Sequence, residues 1–185
     1  MRHHYSQTIV CNSYIHLGVY YKDNFAGVLQ FGYALQPACA GGIVEGTVQG
    51  KYLELNRMWL AEVCPRNSES MAISYAVKYV RRASPSVAWM QSFADERCGR
   101  LGVVYQASNF LYLGSHAATF YFLDGDYYHR LLLTAHPNGR GRILRENAGR
   151  ALKLTYRQYR YILSLKQSWR KRLRLKVQPY PKPEA

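Results

Sequence analysis

The stretch KYLELNRMWLAEVCPRNSESMAISYAVKYVRRASPSVAWMQSFAD, residues 51–95, changes periodicity twice, and the fold follows from where it does so. Residues 51–63 read as extended: Leu53, Leu55 and Met58 point one way, leaving Glu54, Asn56 and Arg57 to the other. After the polar turn Pro65-Arg66-Asn67-Ser68-Glu69-Ser70 the period becomes helical. Ile73, Ala76, Val77 and Val80 recur at i, i+3, i+4 and i+7, with Lys78, Arg81 and Arg82 off that stripe. Asn67 or Ser68 can cap this helix over 68–82, and Pro85 ends it. Residues 86–93 are apolar on both faces, which predicts a central strand covered on both sides, ending at Asp95.

Working outward, residues 100–108 predict a second helix, and residues 110–113 and 117–123 further strands. Upstream, residues 14–21 and 25–33 are β-branched and aromatic, and Lys22-Asp23-Asn24 between them reads as a hairpin turn. The glycine-rich run 38–50 is a connection. Residues 153–165 are compatible with a helix or a strand bearing a basic face, and 178–185, with three prolines, read as a mobile end. The expectation is an α/β (α+β) protein with a mixed central sheet and flanking helices. A catalytic domain over 1–149 is followed by a basic extension, 150–185, partly packed on it.

Of the formal net charge of +14, +10 lies in the last 36 residues, where 11 Lys and Arg face one Glu. That asymmetry predicts a polyanionic partner, nucleic acid first. Seventeen tyrosines add faces on which unpaired bases can stack. Cys11, Cys39, Cys64 and Cys98 form no CxxC pair, which argues against a zinc ribbon and a disulfide framework. No apolar run reaches the roughly 18 residues of a membrane span, and the N-terminus lacks the apolar core of a secretion signal. An intracellular protein without a membrane partner is expected.

The chemistry clusters in residues 57–110. Backbone N–H groups at a helix start bind phosphate readily, so residues 67–70 form a candidate pyrophosphate cradle, with Arg66 adding a bidentate donor. Ordinary capping explains the same turn. Asp95, just past a buried strand, suits a general base or, equally, a helix N-cap. Arg57 is a candidate partner for Asp95 or for a substrate oxygen, and Tyr105 a candidate proton donor or a core ring.

Tyr105-Gln-Ala-Ser-Asn109-Phe110 is similar to the Tyr-x-x-x-Gly-Phe that ends the cofactor helix of GNAT acyltransferases. Serines 68 and 70 stand where that family's turn carries glycines. A narrower resemblance runs from the N-terminus to about Leu123. His4-Tyr5-Ser6, Leu53-Glu54-Leu55-Asn56-Arg57, Asn67-Ser68-Glu69-Ser70, Ser92-Phe93-Ala94-Asp95 and Gly102-Val-Val-Tyr105-Gln-Ala-Ser-Asn109-Phe110 resemble the Mom DNA-modification proteins of Mu-like phages.

That resemblance implies a GNAT-like fold and an enzyme that converts adenine N6 in DNA to a carbamoylmethyl derivative, shielding phage DNA from host restriction enzymes. It implies acetyl-CoA as cofactor, double-stranded DNA with a flipped adenine as partner, and the host cytoplasm as location. A homodimer is compatible with it. By carry-over, Arg57, Asp95 and Tyr105 form the reactive centre, and Arg66, Asn67, Ser68, Ser70 and Asn109 the cofactor site. Trp59, Trp89 and Tyr112 are candidates to sandwich the base. A group joined through its methylene needs more than acyl transfer, so iron or another redox metal is a second cofactor expectation. His4 and Tyr5, beside His3, are its candidate ligands, with His16 or His129 completing the set. Two other readings stay open: a conventional N-acetyltransferase acting on protein or RNA amines, and a non-catalytic nucleic-acid-binding protein.

Overall fold

The structure, a computed structural model, describes residues 13–34, 36–98, 101–135 and 138–183. The two N-terminal strands, β1 (Ser13–Tyr21) and β2 (Asn24–Gly32), form a hairpin. Its two-residue turn has Lys22 and Asp23 both at positive φ, 49° and 62°, the conformation whose twist matches the flanking strands. Strand β3 (Tyr52–Leu60), helix α1 (Ser68–Ala83) and strand β4 (Trp89–Asp95) occupy the segment that decides the fold. The buried stripe of α1 is Ile73, Ala76, Val77 and Val80, the four positions its period picks out. A short 3-10 turn, Glu96–Cys98, leads to α2 (Val103–Ala107).

Beyond α2 the chain departs from expectation. Residues 111–123 are one strand, β5 (Leu111–Leu123), with a bulge between Tyr112 and Ser115 where Gly114 sits at φ 96°. Strand β6 (Asp126–His129) hairpins back onto it through Asp124-Gly125. Helices α3 (Leu132–Ala135) and α4 (Arg140–Glu146) are short, and strand β7 (Leu152–Ser164) precedes α5 (Gln167–Arg170).

The seven strands form one mixed sheet in the order β1-β2-β3-β4-β7-β5-β6, so β7 inserts between β4 and β5. The strand alternative for residues 153–165 is the one realised, because Tyr159 and Tyr161 turn inward at a period of two beside Tyr112. The segment read as a basic extension therefore begins with an interior strand. Its Pro-rich end is docked rather than loose: the Gln178 N–H donates to Tyr112 O (2.9 Å), filling the β5 bulge, and the Tyr180 hydroxyl donates to Phe110 O (2.7 Å).

The main core lies between α1, α2 and one sheet face, with Leu53, Leu55, Phe31, Phe110 and Tyr161 at its centre. A second cluster covers part of the opposite face. There the 3-10 turn Pro37–Gly42 and the segment around Trp169 and Leu173 pack on Tyr52, Trp89 and Ile162. No helix among the described residues is long and apolar enough to cross a membrane.

Candidate functional site

Strands β3 and β4 are parallel neighbours, yet they pair at only three positions: Tyr52 with Trp89, Leu53 with Met90, and Glu54 with Gln91. Beyond that they part. Residues 55–60 pair with β2 and residues 92–95 with β7, leaving a cleft of about 1130 Å³ between them. Side-chain bonds from Ser92 Oγ to Leu55 O (3.3 Å) and from Gln91 Nε2 to Glu54 (2.7 Å) cross its apex. Arg57 lines one wall, Asp95 and Phe93 the other, Tyr105 and Gly102 a third, and the docked tail at Pro181–Pro183 closes the rim. The three expected reactive residues thus share one cavity.

Asp95 is held by four donors. Arg97 gives it Nε at 2.8 Å, Nη2 at 2.6 Å and its backbone N–H at 3.0 Å, and Gln158 Nε2 adds a bond at 3.2 Å. The backbone bond caps the turn after β4, which realises the capping reading of Asp95. Burial by itself would raise this carboxyl, but the Arg97 bonds and charge outweigh it and hold it below its ordinary value. The guanidinium is itself caged, 3.8 Å from the Phe120 ring centroid and 4.9 Å from that of Tyr127.

Glu54, at the apex, is the opposite case. Its burial pushes the carboxyl upward, against a 2.7 Å bond from Gln91 Nε2, a weaker one from Asn56 and the nearby Arg160. Two carboxyls in one cleft, one pushed up and one held down, separate proton exchange from fixed charge. Glu54 lies inside the quoted Leu-Glu-Leu-Asn-Arg run, but alternation alone marks it only as a polar face.

The turn before α1 starts with Asn67 in the left-handed region, φ 68°, and no side chain caps the helix. The Ser68 and Ser70 hydroxyls instead donate to the carbonyls of Pro65 (2.7 Å) and Asn67 (2.9 Å). Capping by Asn67 or Ser68 is therefore not what this turn does. Of residues 66–70 only Glu69 lines the cleft, while exposed Arg66 stands outside it. Asn109 ends α2 at φ 61°, where a glycine serves in the family pattern; it closes that helix and does not line the cleft. Tyr105 has its ring in the core against Phe110 and Tyr161 while forming part of the cleft wall.

One of the stacking candidates is corrected: Trp89 is fully buried in the second core cluster. Trp59 and Tyr112 both line the cleft, Tyr112 with most of its ring in the main core. His4 and Tyr5 lie outside the described residues. His16 on β1 and His129 on β6 stand on the two edge strands, six strand spacings or roughly 29 Å apart, so at most one of them can belong to a given site. No group of three metal-binding side chains exists among the described residues.

The fold and cleft define a single-domain α/β protein whose mixed sheet opens between two parallel strands, with a helix start beside the opening. The chain belongs to the Mom protein family, whose model matches residues 1–182. It is 56% identical over 184 residues to Methylcarbamoylase mom of Escherichia phage Mu, covering 97% of this chain and 76% of that protein. Among solved structures it is similar to a GNAT-family acetyltransferase from Streptococcus pneumoniae, 12% identical, with a TM-score of 0.48 over 83% of this chain and 66% of that one. It is also similar to Arabidopsis thaliana NAA60 in complex with a bisubstrate analogue, 10% identical, with a TM-score of 0.49 over 77% and 66%.

Proposed function

We propose that this chain is a methylcarbamoylase of phage DNA, placing a carbamoylmethyl group on adenine N6 in the host cytoplasm and so protecting viral DNA from restriction. The observation that carries this reading is the identity of 56% to Methylcarbamoylase mom, spread over 97% of the chain. The cleft supports it chemically. Acetyl-CoA is the proposed donor, its phosphates directed to the uncapped start of α1 and Arg66, its acyl arm along the strand edges exposed between β3 and β4. Double-stranded DNA with one adenine flipped out is the proposed partner, because N6 is reached poorly inside a duplex.

Within the cleft the roles divide. Adenine N6 is a weak nucleophile, its lone pair delocalised into the ring, and needs a proton acceptor as the new bond forms. Glu54 has the environment for that task, whereas Asp95, clamped by Arg97, supplies fixed negative charge and geometry. Arg57 grips a substrate oxygen and Tyr105 donates to the departing group. Joining N6 to a methylene carbon also requires activation that acyl transfer does not provide. We propose that a redox metal on His4 and Tyr5, with an external two-electron oxidant, would activate the methyl carbon, and that an ammonia-level amine takes the carbonyl carbon as the thiolate leaves; metal analysis of the purified protein tests the metal.

The deciding experiment is nucleoside mass spectrometry on plasmid DNA from cells expressing the chain. A mass-shifted adenine is expected, falling at least tenfold in Glu54→Gln, Asp95→Ala and Tyr105→Phe variants that still fold. Folded wild-type protein that leaves every adenine unchanged refutes the function. Transfer of labelled acetyl to peptide or RNA, and not DNA, would establish a conventional N-acetyltransferase.

A further inference from the structure

The sheet face opposite α1 carries a polar ladder in which Glu54 and Asp95 have reactive roles but Gln91, Phe93 and Arg160 do not. Along β4 and β7, Gln91 faces Ile162, Phe93 faces Arg160, and Asp95 faces Gln158. Side chains at these positions alternate with the core-facing Ser92, Ala94, Tyr159 and Tyr161, so Gln91, Phe93 and Arg160 share one face. Glu54, directly opposite Gln91 on β3, joins them. At the covered end of this face stand Tyr52 and Trp89 under the second core cluster; towards Asp95 the face opens into the cleft.

Two buried atoms in this ladder have no hydrogen-bond partner: the acceptor Gln91 Oε1 and the donor Arg160 Nε. Gln91 is 3% exposed, and its Nε2 is committed to Glu54 at 2.7 Å, which fixes which end of the amide is left over. An orphaned buried donor or acceptor carries the full cost of its desolvation, and native interiors rarely tolerate two side by side without a ligand that satisfies them. Gln91 and Arg160 are diagonal neighbours across β4 and β7, their Cβ atoms roughly 7–8 Å apart. A flat ring edge with one donor and one acceptor can bridge them with two hydrogen bonds of about 2.9 Å. A platform lies between them: the Arg160 guanidinium sits 5.2 Å from the Phe93 ring centroid, and Phe93 lines the cleft.

We infer that this ladder is the pocket for the flipped base, with the Watson–Crick edge of adenine read by Gln91 and Arg160. This rests on the proposed function and names the residues that select its substrate. The exocyclic amine points to the acceptor-rich end, Gln91 Oε1 beside Glu54, and ring N1 accepts from Arg160 Nε–H. The base lies against the Phe93 ring, which lines the cleft, while Arg160 meets its edge, since aromatic rings stack on bases. Guanine and thymine, entering with the same glycosidic direction, would set a carbonyl oxygen against two acceptors, so amino bases are favoured by repulsion as well as attraction.

The test uses plasmid DNA modified during co-expression, nucleoside mass spectrometry, and thermal melting of each purified variant. Arg160→Met is expected to lower the modified fraction at least tenfold while melting no lower than wild type, because removing an unsatisfied buried donor is near neutral or stabilising. Arg160→Lys keeps the charge without the planar fork and should restore only part of the activity. Phe93→Leu keeps apolar volume without the flat ring and should lose activity likewise. In a lysate reaction, DNA made with 7-deazaadenine in place of adenine lacks N7 but keeps N1 and N6, and should be modified as well as ordinary DNA. Wild-type modification by Arg160→Met and Phe93→Leu overturns the pocket while leaving the function standing, as does failure of the 7-deazaadenine DNA alone. If wild type modifies no adenine, both readings fall together.

Discussion

The Arg97–Asp95 pair offers the sharpest quantitative test, through Arg97→Met. The pair is 4% and 10% exposed at its two side chains, and methionine keeps most of the arginine stem's packing while removing the charge. At an effective dielectric near 20, opposite charges about 4 Å apart attract by about 4 kcal/mol. Breaking a buried pair and stranding one charge costs about 3–5 kcal/mol in mutational studies. Losing the contacts with Phe120 and Tyr127 adds about 0.5–2 kcal/mol. The expected loss of about 4–6 kcal/mol is a large part of the roughly 5–15 kcal/mol that holds a domain folded.

Urea unfolding at pH 7 measures that loss, and acidification checks its cause. In the wild type, Asp95 titrates below its ordinary 3.8, so its contribution is present at neutrality and disappears only as pH falls through 3.8 towards the folded value. In Arg97→Met, burial without compensation raises the carboxyl above 3.8, so the variant regains stability as pH falls. The gap between the two proteins should therefore narrow from pH 7 towards pH 4. Adding Asp95→Asn to Arg97→Met should recover much of the loss by removing the stranded charge. A loss below about 1 kcal/mol, or a double variant no more stable than the single one, refutes the account.

Three further outcomes follow from particular contacts. Gly102→Ala should destabilise by about 3 kcal/mol in chemical unfolding, since Gly102 sits at φ 78° and a Cβ there would lie 2.5 Å from the Tyr161 ring. Ending the chain after Lys176 removes the tail bonds to Tyr112 and Phe110 and the Pro181–Pro183 rim; the protein should still fold cooperatively, but bind acetyl-CoA more weakly by calorimetry. His129, depressed to about 4 by burial and then by the Arg97 charge, stays neutral when folded. The unfolded chain takes up the proton first, so stability falls between pH 6.5 and about 4 by roughly 3 kcal/mol, a limb that His129→Gln should flatten.

What the sequence made legible is what repeats with a period. The α1 stripe, the two-sided burial of β4 and the first hairpin all follow from spacing. The misses have local causes. Gly114 breaks the apolar run of β5 and makes one strand read as two, although a bulge is what lets the tail dock there. Strand β6 was signalled by Asp124-Gly125 between aromatic runs, a turn pair suited to two successive residues at positive φ. The site was half legible: Arg57, Asp95 and Tyr105 share the cleft, but nothing in a linear string shows that Arg97, two residues on, folds back onto Asp95 in a 3-10 turn. Nor could spacing show Glu54, which depends on the β3–β4 pairing, or the Gln91–Arg160 ladder, which depends on β7 entering beside β4 from 63–71 residues away.

That insertion also changes what the C-terminal charge is. Read as a string, net +10 in 36 residues is a basic extension partly packed on the domain. In the fold, Arg157 and Arg160 belong to β7, whose backbone joins β4 to β5, and the Arg157 N–H is tied to Glu96 Oε2 at 2.7 Å. Part of the basic charge, Lys153, Arg157 and Arg160, is therefore carried by the strand on which the cleft depends. Deleting the region cannot separate DNA affinity from folding, whereas charge reversal at exposed Lys153, Lys166 and Lys171 can. Each reversed lysine that contacts phosphate should flatten the salt dependence of DNA binding by about one counterion while leaving unfolding free energy nearly unchanged. A basic surface fixed to the strand beside the cleft fits base flipping better than a tether does. If DNA is the partner we propose, phosphates held at fixed positions relative to Phe93 and Arg160 would set where along the backbone a nucleotide can swing out, converting binding energy from the charge into orientation of the base.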